Sequence, residues 1–385
     1  FFHTLIPGQK PLCTWISGDF GSGKSHLLKI LSYVLENDFP IDGRPCADIF
    51  AEKAEDFELR GDIQKACRIP TESVLFNIQE KLDATTKSTI DPVLNIFVKE
   101  FNRKMGYDDK KPEIAEIERY FDNKGKYEFF KEEYQKRFGE TWENGRKSIL
   151  LKLQRVAEIM AEIDGIPQAT AFDNIKAQIA NYKIDTDGFV ALVKEHLDKQ
   201  QPGSRFIFFV DEVGQFIGKD VHRMLSLQTI AEGLSDKTNG QSIVIVTSQM
   251  DIDATLGNLD KQQEYDFSRI QGRFDTRISL TSANADEVIQ RRLLEKEEEP
   301  QQMLCEVYQK ENHIIKSLFN FGDNSQFKSN YKNDQQFAID FPFIDYQFNL
   351  VQSCIIELSK NNAFSGKQQS VGERSLLTIT QEVAK

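Results

Sequence analysis

The sequence predicts an α/β protein with a parallel five-stranded sheet flanked by helices, and three observations support that fold class. A glycine-rich loop at residues 18–25 lies between an apolar strand and an apolar-periodic helix. Runs of strand length recur at 73–78, 205–212, 242–249 and 276–280, so with the strand before the loop five strands are predicted. Segments long enough for helices separate these runs, as parallel strands require for their crossover connections.

The loop matches a phosphate-binding motif, G-x-x-x-x-G-K-[ST], at every fixed position. Its glycines let backbone N–H groups turn inward around a phosphate, and the helix that follows points its positive end there. Lys24 can reach the β- and γ-phosphates, and the Ser25 hydroxyl can bind Mg²⁺. We therefore expect a nucleoside-triphosphate site, with ATP as the ligand, rather than a ligand-free turn. The predicted binding residues of the motif are Gly18, Asp19, Phe20, Gly21, Ser22, Gly23, Lys24 and Ser25.

Polar residues end the third and fourth predicted strands, 205–212 and 242–249. The third strand ends in Asp211 and Glu212. Asp211 is expected to hold Mg²⁺, directly or through water, and Glu212 to orient and deprotonate the attacking water. An acidic pair can also simply end a strand, but beside a complete phosphate loop the catalytic interpretation is favoured. At the end of the fourth strand, Ser248 or Gln249 could bind the lytic water or the γ-phosphate, or could merely mark the polar end of a strand.

Arginines before the fifth run and near the end of the chain are further candidates. Arg269 and Arg273 precede the run at 276–280. An arginine there can neutralise charge developing on the γ-phosphate, often in a neighbouring subunit's site, although a surface arginine in a turn is the alternative. Arg374 lies near a predicted helix start and could reach the phosphates from a C-terminal helical lid.

Composition narrows the class of function. The 385 residues carry a net charge of −12, so there is no broad basic field for DNA or RNA, although a local basic groove would still allow contact. The cysteines are scattered without C-x-x-C spacing, which is typical of free thiols in a reducing cytoplasm. No apolar run approaches the roughly 20 residues of a membrane-spanning helix. The chain begins without methionine, and both ends are expected to continue in a longer protein.

The motifs divide the chain into four predicted parts. Residues 1–84 and 176–282 are expected to form the two parts of the nucleotide-binding core. Residues 85–175 carry helical periodicity without a convincing strand, so a helical insertion is predicted there. Its aromatic stripes are expected to pack in a core rather than around a ligand. Residues 283–385 are expected to form a helical lid.

Local signals predict individual boundaries. Asp91 followed by Pro92 predicts a helix start, because aspartate can cap the first turn and proline fits its first position. The charged stretch at 297–302 and the Asn/Gln/Lys-rich stretch at 320–336 are predicted as connections exposed to solvent.

The order of these motifs resembles the AAA+/STAND branch of P-loop ATPases. Residues 272–275, Gly-Arg-Phe-Asp, resemble the second region of homology, where the arginine fingers of that family lie. The two arginines of the family are three apart, whereas Arg269 and Arg273 are four apart, so the resemblance leaves open which of them is the finger. Gly372 and Arg374 similarly resemble the sensor 2 signature in the lid of initiator-type members.

A closer resemblance is to the BREX phage-defence ATPases of the BrxC/PglY family. The segments that carry it are 15–26, 210–216, 247–249, 270–274, 282–289 and 372–375. It covers the core and part of the lid, is weakest in the helical insertion, and adds His26 to the predicted nucleotide-binding residues. It implies that this chain is the N-terminal part of a longer bacterial or archaeal protein. That protein would work in the cytoplasm with the BREX methyltransferase and the PglZ phosphatase-like protein against phage DNA.

The predicted function is therefore Mg²⁺-dependent hydrolysis of ATP to ADP and phosphate, coupled to assembly or remodelling of an anti-phage complex. A homo-oligomer is expected, because Arg269 or Arg273 would complete a site at a subunit interface. Two alternatives stay open: an ATP-binding switch with negligible hydrolysis, and an initiator-like AAA+ ATPase that remodels DNA. A small-molecule kinase is less expected, since the acidic pair and the arginines have no evident use in one.

Overall fold

The computed structural model describes most of the chain. The described residues are 1–6, 13–18, 22–82, 91–217, 220–248, 274, 276–280, 289–291, 293–318, 331–344, 346–348, 350–351 and 353–354. The strands are β1 (Thr14–Gly18), β2 (Thr71–Asn77), β3 (Arg205–Asp211), β4 (Ser242–Ser248) and β5 (Thr276–Leu280). The helices are α1 (Lys24–Glu36), α2 (Cys46–Glu52), α3 (Phe57–Ala66), α4 (Pro92–Lys104), α5 (Pro112–Asn123), α6 (Tyr127–Phe138), α7 (Trp142–Gly145), α8 (Leu153–Asp164), α9 (Gln168–Asn181), α10 (Thr186–Asp198), α11 (Val213–Ile217), α12 (Val221–Lys237), α13 (Glu298–Leu318) and α14 (Asp334–Asp340).

The five strands form one parallel sheet in the order β2-β3-β4-β1-β5. The central strands β3 and β4 are buried along their length, apart from a half-buried Asp211 at the end of β3. Strands buried on both faces need apolar side chains at successive positions, which is why both read as continuous apolar runs. The edge strand β5 instead alternates between half-buried and exposed residues. The predicted α/β class and its five-stranded parallel sheet are confirmed.

Phenylalanine forms much of the layer between the sheet and the helices beside it. Phe208 of β3 lies 5.2 Å from Phe97 of α4 and 5.8 Å from Phe189 of α10, measured between ring centroids. Phe101 of α4 lies 5.4 Å from Phe206 of β3. Each of these rings is inaccessible to solvent or nearly so. Large rings of this kind remove much apolar surface from water, so this layer stabilises the sheet that carries Asp211.

Helix α4 begins as predicted. Asp91 caps it by accepting a hydrogen bond from the Leu94 N–H at 3.0 Å, and Pro92 is its first residue. The Asp91 carboxylate also accepts hydrogen bonds of 2.8 and 2.7 Å from the Ser226 hydroxyl of α12. One residue therefore both starts α4 and attaches it to a neighbouring helix. Because α4 packs on β3, it belongs to the sheet layer rather than to the helices that follow it.

Helices α5 to α9 pack around an apolar core of their own. Phe121 and Phe130 stack at 4.2 Å between ring centroids, and Trp142 meets Phe130 edge-on at 4.8 Å. The helical residues Ile159 and Ile175 complete this core and are fully buried. The aromatic stripes of the sequence thus pack against each other, as the periodicity predicts.

A buried carboxylate lies inside this helical core. Glu118 of α5 is fully buried. Its oxygens accept hydrogen bonds from the Tyr127 hydroxyl at 2.9 Å, the Trp142 indole N–H at 2.6 Å and Arg146 at 2.7 Å. The Asp108 N–H donates a further hydrogen bond to the same carboxylate. A buried charge is tolerated only when it is paired and hydrogen-bonded, so these partners are arranged around Glu118.

Replacing Glu118 with alanine is expected to lower the free energy of unfolding by about 3–5 kcal/mol, because the Arg146 charge and several donors would lose their acceptor. Urea unfolding followed by the fluorescence of Trp15 and Trp142 measures the change. Glu128→Ala is the matched control, since the Glu128 side chain is 79% exposed and its pairing with Lys131 should contribute about 1 kcal/mol or less. Equal losses for the two variants would contradict this account of the helical core.

The described part of the C-terminal region differs from the sequence prediction. Residues 298–302, predicted as a connection, begin α13, whose first turn carries Glu298 and Glu299. Acidic residues favour the first turn of a helix. Helix α14 starts inside the predicted connection at 320–336, and Asn333 caps it through a 2.8 Å hydrogen bond from the Gln336 N–H. The prediction for 297–302 was wrong, because its acidic residues belong to a helix start. At 320–336 the last three residues belong to a helix and 331–333 do not, while 320–330 lie outside the described residues.

The chain divides into two compact units. The larger unit contains β2 to β4 and the helices α2 to α12. The smaller unit contains α13 and α14, together with the end of β1 and the residues that lead into α1. Within the described residues, no helix has both the length and the apolar character needed to cross a membrane. The cysteines are free thiols, as their spacing predicts.

Candidate functional site

The phosphate-loop motif lies between a strand and a helix. Strand β1 ends at Gly18, and α1 begins at Lys24. The backbone of Gly23 has a φ of +85°, a left-handed conformation that glycine adopts most readily. Lys24 is buried, whereas the next two residues, Ser25 and His26, are exposed on the first turn of α1. The predicted residues Asp19, Phe20 and Gly21 lie outside the described residues.

The start of the motif is tightly packed. A Cβ atom added to Gly18 would lie 2.2 Å from the Leu280 carbonyl oxygen and 2.6 Å from Ser22 Oγ. Only glycine fits there. Ser22 Oγ is itself buried and has no hydrogen-bond partner in the described part of the chain. A buried hydroxyl without a partner is costly, and an anionic oxygen bound in the loop would satisfy it, so this residue fits a phosphate ligand.

Strand register brings polar residues together at the acidic end of β3. Asn77 of β2 is the direct partner of Asp211. Val246 of β4 is the partner of Val210, which places Thr247 next to Asp211 on the other side. Partners in a parallel sheet project their side chains to the same face, because side chains alternate along every strand. Asn77, Asp211 and Thr247 therefore form a row across three neighbouring strand ends.

Hydrogen bonds join this row to Glu212. Thr247 Oγ1 donates to Asp211 Oδ1. The Glu212 N–H donates to Thr247 Oγ1 at 3.0 Å and to Asp211 Oδ1 at 3.1 Å. Asn77 Nδ2 donates to Glu212 Oε2 at 2.7 Å. Both acids are thus held by neighbours on the adjacent strands, Asp211 by a hydroxyl and Glu212 by a side-chain amide.

The amide of Asn77 is itself oriented by the turn that follows β2. Its Oδ1 accepts hydrogen bonds from the N–H groups of Gln79 and Glu80, at 3.0 and 3.2 Å. The carbonyl side of the amide is therefore occupied, and the NH₂ side faces Glu212. Because the turn determines this orientation, Asn77 is a specific donor to the Glu212 carboxylate.

Glu212 adopts an unusual backbone conformation, with a φ of +60°. A left-handed conformation costs a non-glycine residue about 1–2 kcal/mol. Strained residues of this kind persist only where their surroundings enforce them, and they concentrate at functional sites. At Glu212 the two hydrogen bonds of its N–H provide the enforcement.

Thr247 and the predicted site residue Ser248 lie on opposite faces of β4. Side chains alternate along a strand, so Ser248 points to the opposite face from Thr247. Ser248 is buried against α11, where a Cβ added to Gly214 would lie 2.0 Å from its Oγ. The sequence analysis named Ser248 or Gln249 at this strand end and did not name Thr247 or Asn77 as site residues. The available signal was that Asn77 follows the apolar residues 74–76 with a polar side chain, as Asp211 follows 206–210.

Other predicted residues cannot be placed. Gln249, Arg269, Arg273 and Arg374 lie outside the described residues. Among the residues that the structure does describe, no group of three or more His, Cys, Asp or Glu side chains is arranged to hold a metal ion. A Mg²⁺ ion at a nucleotide needs fewer protein ligands, since phosphates and water complete its shell, and Ser25 and Asp211 would suit it.

No family model matches the chain, and no solved structure matches it. The chain is an α/β protein with a parallel five-stranded sheet. Its functional assignment therefore depends on the loop after β1 and on the two acids at the end of β3.

Proposed function

We propose that this chain is a Mg²⁺-dependent ATPase of the P-loop class. The observation that carries the proposal is the complete phosphate-binding motif between a strand that ends at Gly18 and a helix that begins at Lys24, which is the context such a loop requires. The buried, unpartnered Ser22 Oγ supports a phosphate ligand in that loop. The proposal requires that the loop and the acids meet at one edge of the sheet, as the carboxyl ends of parallel strands do.

In the proposed reaction, water attacks the γ-phosphate of ATP in line with the bond to ADP. Lys24 would neutralise charge on the β- and γ-phosphates. Mg²⁺, held by Ser25 and Asp211, would neutralise charge on the same phosphates. Glu212 would orient the attacking water and accept its proton. Within the described residues, the donors to Asp211 contact its Oδ1, so its second oxygen would face the metal or a water on it.

One observation favours the switch as a second candidate. The Glu212 carboxylate is occupied by the Asn77 amide at 2.7 Å, and it would have to exchange that hydrogen bond for one to water before acting as a base. A hydrogen bond to a charged group contributes about 1.5–3 kcal/mol. This arrangement would slow hydrolysis, and in the extreme it would leave a protein that binds ATP and hardly turns it over.

The resemblance of residues 15–26 and 210–216 to BREX ATPases supports a narrower proposal. The chain would act as a homo-oligomer in the cytoplasm, with Arg269 or Arg273 completing the site of a neighbouring subunit. Its hydrolysis would drive assembly or remodelling of an anti-phage complex with the BREX methyltransferase and the PglZ phosphatase-like protein. DNA remodelling of the initiator type is the rival outcome, and it would require a local basic groove in a protein of net charge −12.

The test is phosphate release from ATP by the purified chain across a protein concentration series, with and without Mg²⁺ and duplex DNA. We expect turnover that depends on Mg²⁺, rises per molecule with protein concentration, and collapses in Arg273→Ala or in Arg269→Ala. Binding of a fluorescent ATP analogue without turnover would identify the switch. Stimulation by DNA that weakens steeply with salt would favour the initiator-like ATPase. No ATP binding at any concentration would overturn the proposal.

A further inference from the structure

We propose that Thr247 is a positioning residue for this ATPase reaction, and that its hydroxyl sets the orientation of both acids, Asp211 and Glu212. The inference rests on the proposed function and assigns a role to a residue that the sequence analysis did not name as a site residue. It is carried by the hydrogen bonds at the end of β4, and by the backbone of Glu212.

The Thr247 hydroxyl makes two hydrogen bonds. It donates one to Asp211 Oδ1 and accepts one from the Glu212 N–H at 3.0 Å. A hydroxyl can donate and accept simultaneously, whereas a methyl group of the same size can do neither. Thr247 is only 1% exposed, so water cannot readily replace its hydroxyl. Serine is therefore the substitution that keeps both contacts, and valine is the one that keeps the shape but loses them.

The hydrogen bond from Thr247 to Asp211 orients the side chain that is proposed to bind Mg²⁺. Asp211 Oδ1 accepts both the Thr247 hydroxyl and the Glu212 N–H. With Oδ1 engaged in this way, rotation of the carboxylate is restricted and the second oxygen keeps one direction. Partners that orient a metal ligand typically change metal affinity or activity by about 10–100-fold when they are removed. Loss of the hydroxyl should therefore raise the Mg²⁺ concentration that turnover requires.

The hydrogen bond from the Glu212 N–H to Thr247 fixes the backbone of the residue that is proposed to be the base. This N–H helps to hold Glu212 in its left-handed conformation, at a φ of +60°. Without Thr247 Oγ1 the N–H keeps Asp211 Oδ1, which would itself have become freer to rotate. The backbone at Glu212 would then relax, and the carboxylate would shift relative to the Asn77 amide that it now meets at 2.7 Å. One hydroxyl thus couples the geometry of the metal ligand to that of the base.

The experiment compares Thr247→Val and Thr247→Ser with the wild type in steady-state ATPase assays over a Mg²⁺ series. We expect Thr247→Val to lower kcat by about 10–100-fold and to raise the half-saturating Mg²⁺ concentration by a similar factor. Thr247→Ser should restore both values to within about threefold of the wild type. Binding of a fluorescent ATP analogue measured without Mg²⁺ should change little in either variant, because Thr247 is not assigned to the nucleotide.

Ser242→Ala is the matched control, because it removes a buried hydroxyl from the opposite end of the same strand. It should leave kcat and the Mg²⁺ dependence within about twofold of the wild type. Thermal unfolding of every variant checks that it folds, and Thr247→Ala takes the place of Thr247→Val if the valine variant does not.

The outcomes separate the inference from the proposed function. A wild-type chain with Mg²⁺-dependent turnover, together with Thr247→Val that has normal kcat and normal Mg²⁺ dependence, overturns the inference alone. Loss of activity in Thr247→Val that serine does not restore also overturns it, since the hydroxyl would not be the cause. A wild-type chain that binds no ATP and releases no phosphate overturns the proposed function, and the inference with it.

Discussion

Replacing Glu212 with glutamine is expected to lower ATP turnover by at least about 100-fold, because a general base contributes on the order of 10²–10⁴ to the rate of proton transfer. Glutamine has the size of glutamate and its side-chain oxygen can still accept the hydrogen bond from Asn77 Nδ2. It cannot take a proton from water. ATP binding should therefore change little, and single-turnover phosphate release beside analogue binding would measure the two effects separately.

The control for this variant is Glu80→Gln, which removes an exposed carboxylate from the turn after β2. Its turnover should stay within about twofold of the wild type. If Glu212→Gln hydrolyses ATP as fast as the wild type, Glu212 is not the base and the mechanism proposed above is wrong. If the wild type and Glu212→Gln both bind ATP and neither hydrolyses it, the chain is a switch.

Replacing Gly18 with alanine is expected to weaken ATP binding by more than about tenfold, because precise placement of binding groups is worth that much or more. The added methyl would lie 2.2 Å from the Leu280 carbonyl oxygen and 2.6 Å from Ser22 Oγ. The serine side chain could rotate, but the carbonyl belongs to the backbone of β5, so strand or loop must shift. Titration with a fluorescent ATP analogue, together with thermal unfolding, measures the effect.

Gly61→Ala is the matched control for this substitution. Gly61 lies inside α3, and a Cβ added there would meet no heavy atom within 4 Å. Alanine favours a helix interior over glycine by about 0.5–1 kcal/mol, so this variant should be slightly more stable and should bind ATP normally. Normal ATP binding by Gly18→Ala would show that the loop has room for a side chain, and would contradict the packing at the end of β1.

Much of the architecture was predictable because its signals are local. A strand buried on both faces must be largely apolar, so β3 and β4 were visible as the apolar runs 206–210 and 243–246. A capping aspartate and a following proline act within one turn, so the start of α4 was visible at Asp91. The same local signals were misleading at the start of α13 and at the first residues of α14. Acidic and amide residues are equally common at helix starts and in loops, and only packing distinguishes the two.

The candidate site was predictable only in part. The residues of the phosphate-binding motif are neighbours in the sequence, and so are the two acids at the end of β3. A pattern of residue types was therefore enough to select each group. Asn77 and Thr247 lie 135 and 35 residues from Glu212 along the chain. Their contact with it depends on strand order and register, which arise from long-range pairing. A shift of one residue in β4 would have turned Ser248 toward Asp211 in place of Thr247.

The sequence by itself thus determined the α/β class, the positions of the five strands and the identity of the candidate phosphate loop and acids, because each is set by residue types that are neighbours in the chain. The tertiary structure alone decided that Asn77 holds the Glu212 carboxylate, that Thr247 rather than Ser248 contacts Asp211, and that Glu118 is surrounded by donors in the helical core. Each of these contacts joins residues that only the pairing of strands or the packing of helices brings together.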